Sequence, residues 1–141
     1  MRAVGVDLGS KRVGIAVSDP TGTLASPHSV LQRGRSHAED HRKLAAIVEE
    51  YEAGVVVVGH PLSLDGRSGP AARLVEAEVD ELRTTLEVPV ELYDERFTTV
   101  TADRSMLERN MNAQARRKVV DQVAAAVLLQ AWLEGPGARR G

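Results

Sequence analysis

Four acids in this 141-residue chain stand where acids are unusual. Asp7 interrupts the apolar run AVGVDLG (3–9), where a carboxylate is costly unless a positive partner offsets it. Ala3 and Gly5 share its strand face, and their small size leaves room beside it, a pattern that suits a cavity better than a packed core. Asp94 and Glu95 close the run VPVELYDER (88–96) just before a turn. Asp121 opens the otherwise apolar VVDQVAAAVLLQAWL, with Ala124 and Ala125 at i+3 and i+4, small enough to let a helix approach a sheet closely. Carboxylates gathered from separate elements repel one another unless cations neutralise them, and an all-oxygen set suits magnesium or manganese. Two such ions about 3.5–4 Å apart are the usual apparatus of in-line phosphodiester cleavage. Ordinary structural uses compete with this reading: a turn cap for Asp94, a favourable charge near a helix start for Asp121. Asp7 has no equally comfortable one.

Elements must bring these acids together. Val4, Val6 and Leu8 alternate with Ala3, Gly5 and Asp7, which predicts a central strand covered on both faces. A turn at Gly9–Arg12 leads into a second strand with Val13, Ile15 and Val17 on one face. Residues 23–30 read as a weaker third strand interrupted by Pro27. Ser36-His37-Ala38-Glu39 is a capping-box pattern, followed by a helical stripe of Leu44, Ile47, Val48 and Tyr51 that ends near Gly54. VVVVGHP (55–61) predicts a buried parallel strand, and GHPLSLDGRSG (59–69) a glycine-rich loop. Ala72, Val75, Val79, Leu82 and Leu86 mark a second helix. The last strand, 88–96, reaches Asp7 if it lies beside the first in parallel. Thr98 or Thr99 caps a third helix through Leu107. Residues 109–118 read as polar and mobile, before an apolar helix over 119–133. The order predicts an α/β fold with a mixed five-stranded sheet flanked by helices. One domain is expected over 1–134, with a flexible tail at 135–141.

The composition narrows the function classes. The chain is 43% hydrophobic, enough for a core, but only 3% aromatic, which disfavours broad stacking on single-stranded bases. Without cysteine there are no disulfides and no thiolate metal sites. Neither a secretory signal nor an apolar run near ~18 residues is visible, so a soluble cytoplasmic protein without membrane contact is expected. The net charge of −2 hides an asymmetry: residues 49–95 carry 12 acids and 3 bases, the remainder 8 acids and 15 bases. If these sets occupy different surfaces, one face can hold a polyanion.

Seven bases are candidates for phosphate contacts. Lys11 and Arg12 sit in the first turn near Asp7, with a solvated hairpin as the alternative. Arg67 lies in GRSG before a helix start, where backbone N–H groups favour anions. Arg96 follows Glu95 and either orients it or meets phosphate. Arg116, Arg117 and Lys118 form the densest cluster, just ahead of Asp121. All seven are expected to ring the acidic centre, with Glu76, Glu78, Asp80 and Glu81 of the second helix away from it. His37 and His41 lack the glutamate of a zinc-protease pattern and read as exposed helix residues. Trp132 reads as core or an interface anchor.

Taken together, VGVDLGSKRVGIAVSD, VVGHPLSLDGRSG, YDERFTTVTA and KVVDQVAAAVLLQAWL resemble, in order and spacing, the motifs of the YqgF family, also called RuvX, known as pre-16S rRNA nucleases and Holliday junction resolvase-like proteins. The resemblance covers nearly the whole chain. It implies an RNase H-like fold and a nuclease centre using Mg2+ or Mn2+. The family's strand-one aspartate falls on Asp7, the glutamate of its DER motif on Glu95, and its last-helix aspartate on Asp121; these would be the catalytic metal ligands. Position 124 is Ala, so a fourth ligand falls to water, substrate phosphate or Asp94. His60 stands where relatives carry an apolar residue, either touching phosphate or capping its strand.

The resemblance implies 5′-end maturation of precursor 16S rRNA, with structured RNA as partner and association with the ribosome or its precursor. Four-way DNA is the alternative substrate, and a dimer would favour it because junction resolution needs two coordinated cuts. A non-catalytic RNA-binding factor is a third reading, against which the three acids argue. DLGSKRVGIAV also resembles the first phosphate loop of actin-like ATPases, but those need two such domains and 141 residues supply one.

Overall fold

The computed structural model describes residues 1–98 and 113–135, with 113–122 described by backbone alone. Five strands form one sheet: β1 (Ala3–Leu8), β2 (Arg12–Ser18), β3 (Ala25–Gln32), β4 (Val55–His60) and β5 (Val90–Asp94). Three helices accompany it: α1 (His37–Glu50), α2 (Pro70–Thr85) and α3 (Ala113–Glu134), and a short 3-10 turn, Glu95–Phe97, follows β5. The expected third helix from Thr98 or Thr99 to Leu107 and the tail beyond Gly135 lie outside the described residues.

The strand order is β3-β2-β1-β4-β5. β1, β2 and β3 form an antiparallel meander, while β4 is parallel to β1 and β5 to β4. The last strand therefore does not lie beside the first, the condition under which the sequence reading carried it to Asp7. β4 separates them: its run of four valines is buried on both faces, which makes it a central strand.

Successive strand residues point to opposite faces, and two cores result. Val4, Val6, Val13, Ile15, Val56, Val58 and Val90 pack with Leu44, Ile47 and Val48 of α1 and Val75, Val79 and Leu82 of α2. On the other face Ala3, Ala16, Val55 and Val57 pack with Ala125, Leu129 and Trp132 of α3. The small residues on this face let α3 sit close. A Cβ at Gly5 would lie 2.7 Å from Leu129 Cβ and 3.0 Å from the Ala125 carbonyl oxygen.

Three local features differ from the sequence reading. α3 begins at Ala113, inside the segment read as mobile, because Ala, Gln, Arg and Lys there are strong helix formers. β3 runs on to Gln32 and tolerates Pro27 by a register shift: Ile15 pairs with Ser29 but Ala16 with Pro27. His41 is buried at 3% exposure rather than solvated. The Ser36 cap forms, its hydroxyl accepting from the Glu39 N–H at 3.2 Å, while Glu39 accepts from the Arg35 N–H.

Candidate nuclease centre

Asp7 shares its strand parity with Ala3 and Gly5, so it stands on the α3 face at the carboxyl end of β1. It is partly buried. Its partner on β2 is Gly14, and one step beyond the Val6–Val58 pair, Gly59 of β4 continues its row. Glycine thus flanks Asp7 on both neighbouring strands.

Glu95 arrives from two strands away. Gly59 pairs with Tyr93, so Asp7 and Tyr93 are separated by two strand spacings, about 9–10 Å. The 3-10 turn after Asp94 folds the chain back, and the Glu95 side chain reaches over β4. A Cβ built on Gly59 would lie 2.5 Å from Glu95 Oε1. The carboxylate thus fills the volume that any other residue at 59 would occupy, on the same sheet face as Asp7.

Position 121 comes from α3, which runs antiparallel to β1. Near its end Gln130 accepts from the Ala25 N–H at 2.8 Å and donates to the Thr23 carbonyl at 3.0 Å, beside Ser18, whose hydroxyl accepts from the Ala3 N–H. Ala125 meets Gly5. One helical turn back from Ala125 is about 6 Å, and two strand residues on from Gly5 about 6.6 Å. Position 121 therefore stands level with Asp7 on the sheet-facing stripe; its side chain, like those of Arg116, Arg117 and Lys118, lies outside the described residues.

Asp94 is otherwise engaged. It caps the 3-10 turn by accepting from the Arg96 N–H at 2.9 Å, and the Arg96 guanidinium binds it through Nη2 at 2.6 Å and Nε at 3.0 Å. The Arg96 hydrogen bond is the main reason its carboxyl is held below the ordinary range. Arg96 also donates through Nη1 to the Leu64 carbonyl and covers Gly66, whose φ of +85° suits glycine. It thereby ties the 61–69 loop to the end of β5.

Lys11 is exposed in the β1–β2 turn, and Arg12 is partly buried with the strand parity of Asp7. That turn is closed by the Gly9 N–H on the Arg12 carbonyl at 2.9 Å. Arg67 is exposed and lies 3.4 Å from Asp65. His60 is on the opposite face, its Nε2 2.6 Å from Glu76 Oε2, which also accepts from Ser68 Oγ. Ser68 first, then His60, lowers the Glu76 carboxyl. The acids of α2 belong to that opposite face, and Glu78 among them is buried under Arg33 and His41. Sequence reasoning missed Gly14 and Gly59, although glycine at the end of an otherwise β-branched run is a signal of close approach.

The Glu95 carboxylate in the glycine cradle beside Asp7 is a hard oxygen donor set, which fits a divalent metal. The RuvX family profile, described as Holliday junction resolvase, matches residues 1–135. A Rhodococcus opacus protein named "Putative pre-16S rRNA nuclease" is 44% identical over 94% of this chain and 77% of its own length. One of the same name from Myxococcus xanthus is 44% identical over 95% and 88%. Thermus thermophilus RuvC, solved with a Holliday junction substrate, superposes with a TM-score of 0.59 at 14% identity, over 100% of this chain and 96% of that one, so the sheet and its helices have an RNase H-like fold. On the extent of these matches, the chain belongs to the RuvX family.

Proposed function

We propose that this protein is a nuclease dependent on magnesium or manganese that matures the 5′ end of precursor 16S rRNA. The observation that carries the reading is Glu95 lying over Gly59 on the sheet face of Asp7. Position 121 stands level with them on α3, which supports a site built by carboxylates from three elements. Asp7, Glu95 and Asp121 would hold the metal, which when bound supplies activation of water and stabilisation of the departing oxygen. Lys11 and Arg12, at the β1–β2 turn beside this face, would meet phosphate, with Arg116, Arg117 and Lys118 about one helical turn ahead of Asp121. Arg67 and Arg96 act on the 61–69 loop, where phosphate contact would compete with Asp65 and Asp94. The names of the relatives favour the RNA substrate, and work on precursor rRNA would put the protein in the cytoplasm.

A cleavage assay with magnesium or manganese tests the proposal, comparing a precursor rRNA 5′ end with a four-way DNA junction. Metal-dependent cutting of the RNA is expected; no cutting of either substrate would overturn the enzymatic reading. The family's description favours junction resolution as the second reading. Paired cuts in the DNA by a dimer, with the RNA left intact, would establish that reading instead.

A further inference from the structure

On the sheet face opposite Asp7, α1 and α2 carry a cluster of a different chemistry. His37 and His41 stand at i and i+4 on α1, and Glu78 and Glu81 at i and i+3 on α2. His41 Nε2 lies 2.8 Å from Glu78 Oε2, and His37 Nδ1 lies 2.7 Å from Glu81 Oε2. The two imidazoles are neighbours, with centroids 5.7 Å apart. Single donor atoms of His37, His41 and Glu78 all fall within 4.8 Å of one another.

We propose that His37, His41, Glu78 and Glu81 form a zinc-type site that clamps α1 to α2, separate from the nuclease centre. Two imidazoles and two carboxylates are a borderline donor set that selects zinc over magnesium. Tetrahedral ligation at ~2.0–2.1 Å brings donors to about 3.3 Å apart, so His37, His41 and Glu78 must draw together from within 4.8 Å, and Glu81, which reaches the group through His37 alone, must swing in as the fourth ligand. The exposed side chains of His37 and Glu81, 54% and 55% accessible, are free to close on the buried pair His41 and Glu78. Charge favours a dication. Asp40, Glu78 and Glu81 face the cluster with three negative charges, and Arg33 returns one positive charge. Arg33 holds Glu78 through both nitrogens, at 2.6 and 2.8 Å, and Asp40 at 3.2 Å. It would orient Glu78 from behind, as outer partners of metal-bound carboxylates do.

The test is zinc titration of the full chain by calorimetry in excess magnesium, with thermal unfolding alongside. Wild type and Asp7→Asn should bind one zinc alike, because the site does not use the nuclease carboxylates. His37→Ala and Glu81→Gln should each lose at least tenfold in affinity while keeping the metal-free melting temperature. At a free zinc concentration of a hundred times Kd, wild type should melt roughly 5–10 °C higher and His37→Ala should gain far less. If His37→Ala melts early without metal, His37→Gln replaces it. Cobalt substitution should give visible absorption of tetrahedral intensity that His37→Ala loses. Zinc binding unchanged in both α1–α2 variants, binding lost in Asp7→Asn, or no binding at all would each overturn the proposal.

Discussion

Glu95 and Gly59 occupy one volume: the Glu95 carboxylate lies where a side chain at 59 would begin, 2.5 Å from a Cβ built there. The obstructing atom is the far end of a flexible side chain, so Gly59→Ala should fold with little change in melting temperature and push Glu95 off its position. Displacement of a ligand by about 1 Å costs of order 100-fold in rate. Gly5→Ala on the same face should do the reverse, because its Cβ meets Leu129 Cβ and the Ala125 backbone. That variant should lose about 1–3 kcal/mol of stability. Cleavage rates and thermal melts of the two proteins check the contrast.

Asp7→Asn, Glu95→Gln and Asp121→Asn should each lower metal-dependent cleavage by at least ~100-fold, since even outer partners of metal ligands cost 10–100-fold. Single-turnover rates in magnesium and in manganese measure this. A variant that cuts at the wild-type rate removes that residue from the ligand set.

Replacing Arg116, Arg117 and Lys118 together by alanine should weaken RNA binding and flatten its salt dependence. If all three meet phosphate, the slope of log affinity against log salt should fall by about 2–3. Binding isotherms at several salt concentrations read the slope, and an unchanged one would make the cluster a solvated helix face.

Arg33→Ala should cost about 3 kcal/mol, because it strands Glu78, a buried carboxylate at 5% exposure. Burial alone pushes Glu78 upward most strongly, but hydrogen bonds from Arg33 and His41 reverse this and hold it below its ordinary value of 4.5. Arg33 also donates to the Gly9 carbonyl at 2.9 Å, so the variant should loosen the β1–β2 turn as well. Arg33→Met with Glu78→Leu should recover only part of the loss in denaturant melts, because buried Asp40 then loses Arg33 and buried His41 loses Glu78.

Acid should destabilise the fold through a small set of carboxyls. Asp19 is lowered from 3.8 to about 2, chiefly by the Leu24 N–H and then by Thr21 and Thr23. Glu78 and Asp94 are also lowered. A depressed carboxyl stabilises the native state above its unfolded value and loses that contribution as pH falls through its folded one. Stability should therefore hold above about pH 4.5 and decline below it. NMR titration should find the Asp19 carboxyl near 2 and higher in Thr21→Val.

The strands and the helical stripes were readable in the sequence because each is written in local periodicity. Val4 and Val6, or Val75, Val79 and Leu82, declare their faces without reference to anything distant. The place of β5 was not readable, since strand order is a long-range choice and a strand ending in charge does not name its neighbour. Once β4 intervenes, Gly59 becomes the residue that lets Glu95 reach Asp7. His41 was misread for a similar reason: an i, i+4 histidine pair looks solvated until Glu78 arrives from a helix 37 residues on.

The bulged strand β3 also bears on how the protein behaves when concentrated. It forms one rim of the sheet, with Pro27 offering no N–H and the pairing slipping a residue beside it. A neighbouring chain that tried to add a strand there would meet a broken ladder, the means by which many β-proteins keep from polymerising. Substituting Pro27 by a β-branched residue and restoring the ladder would open that rim as a template, turning a solubility device into a seed for fibrils.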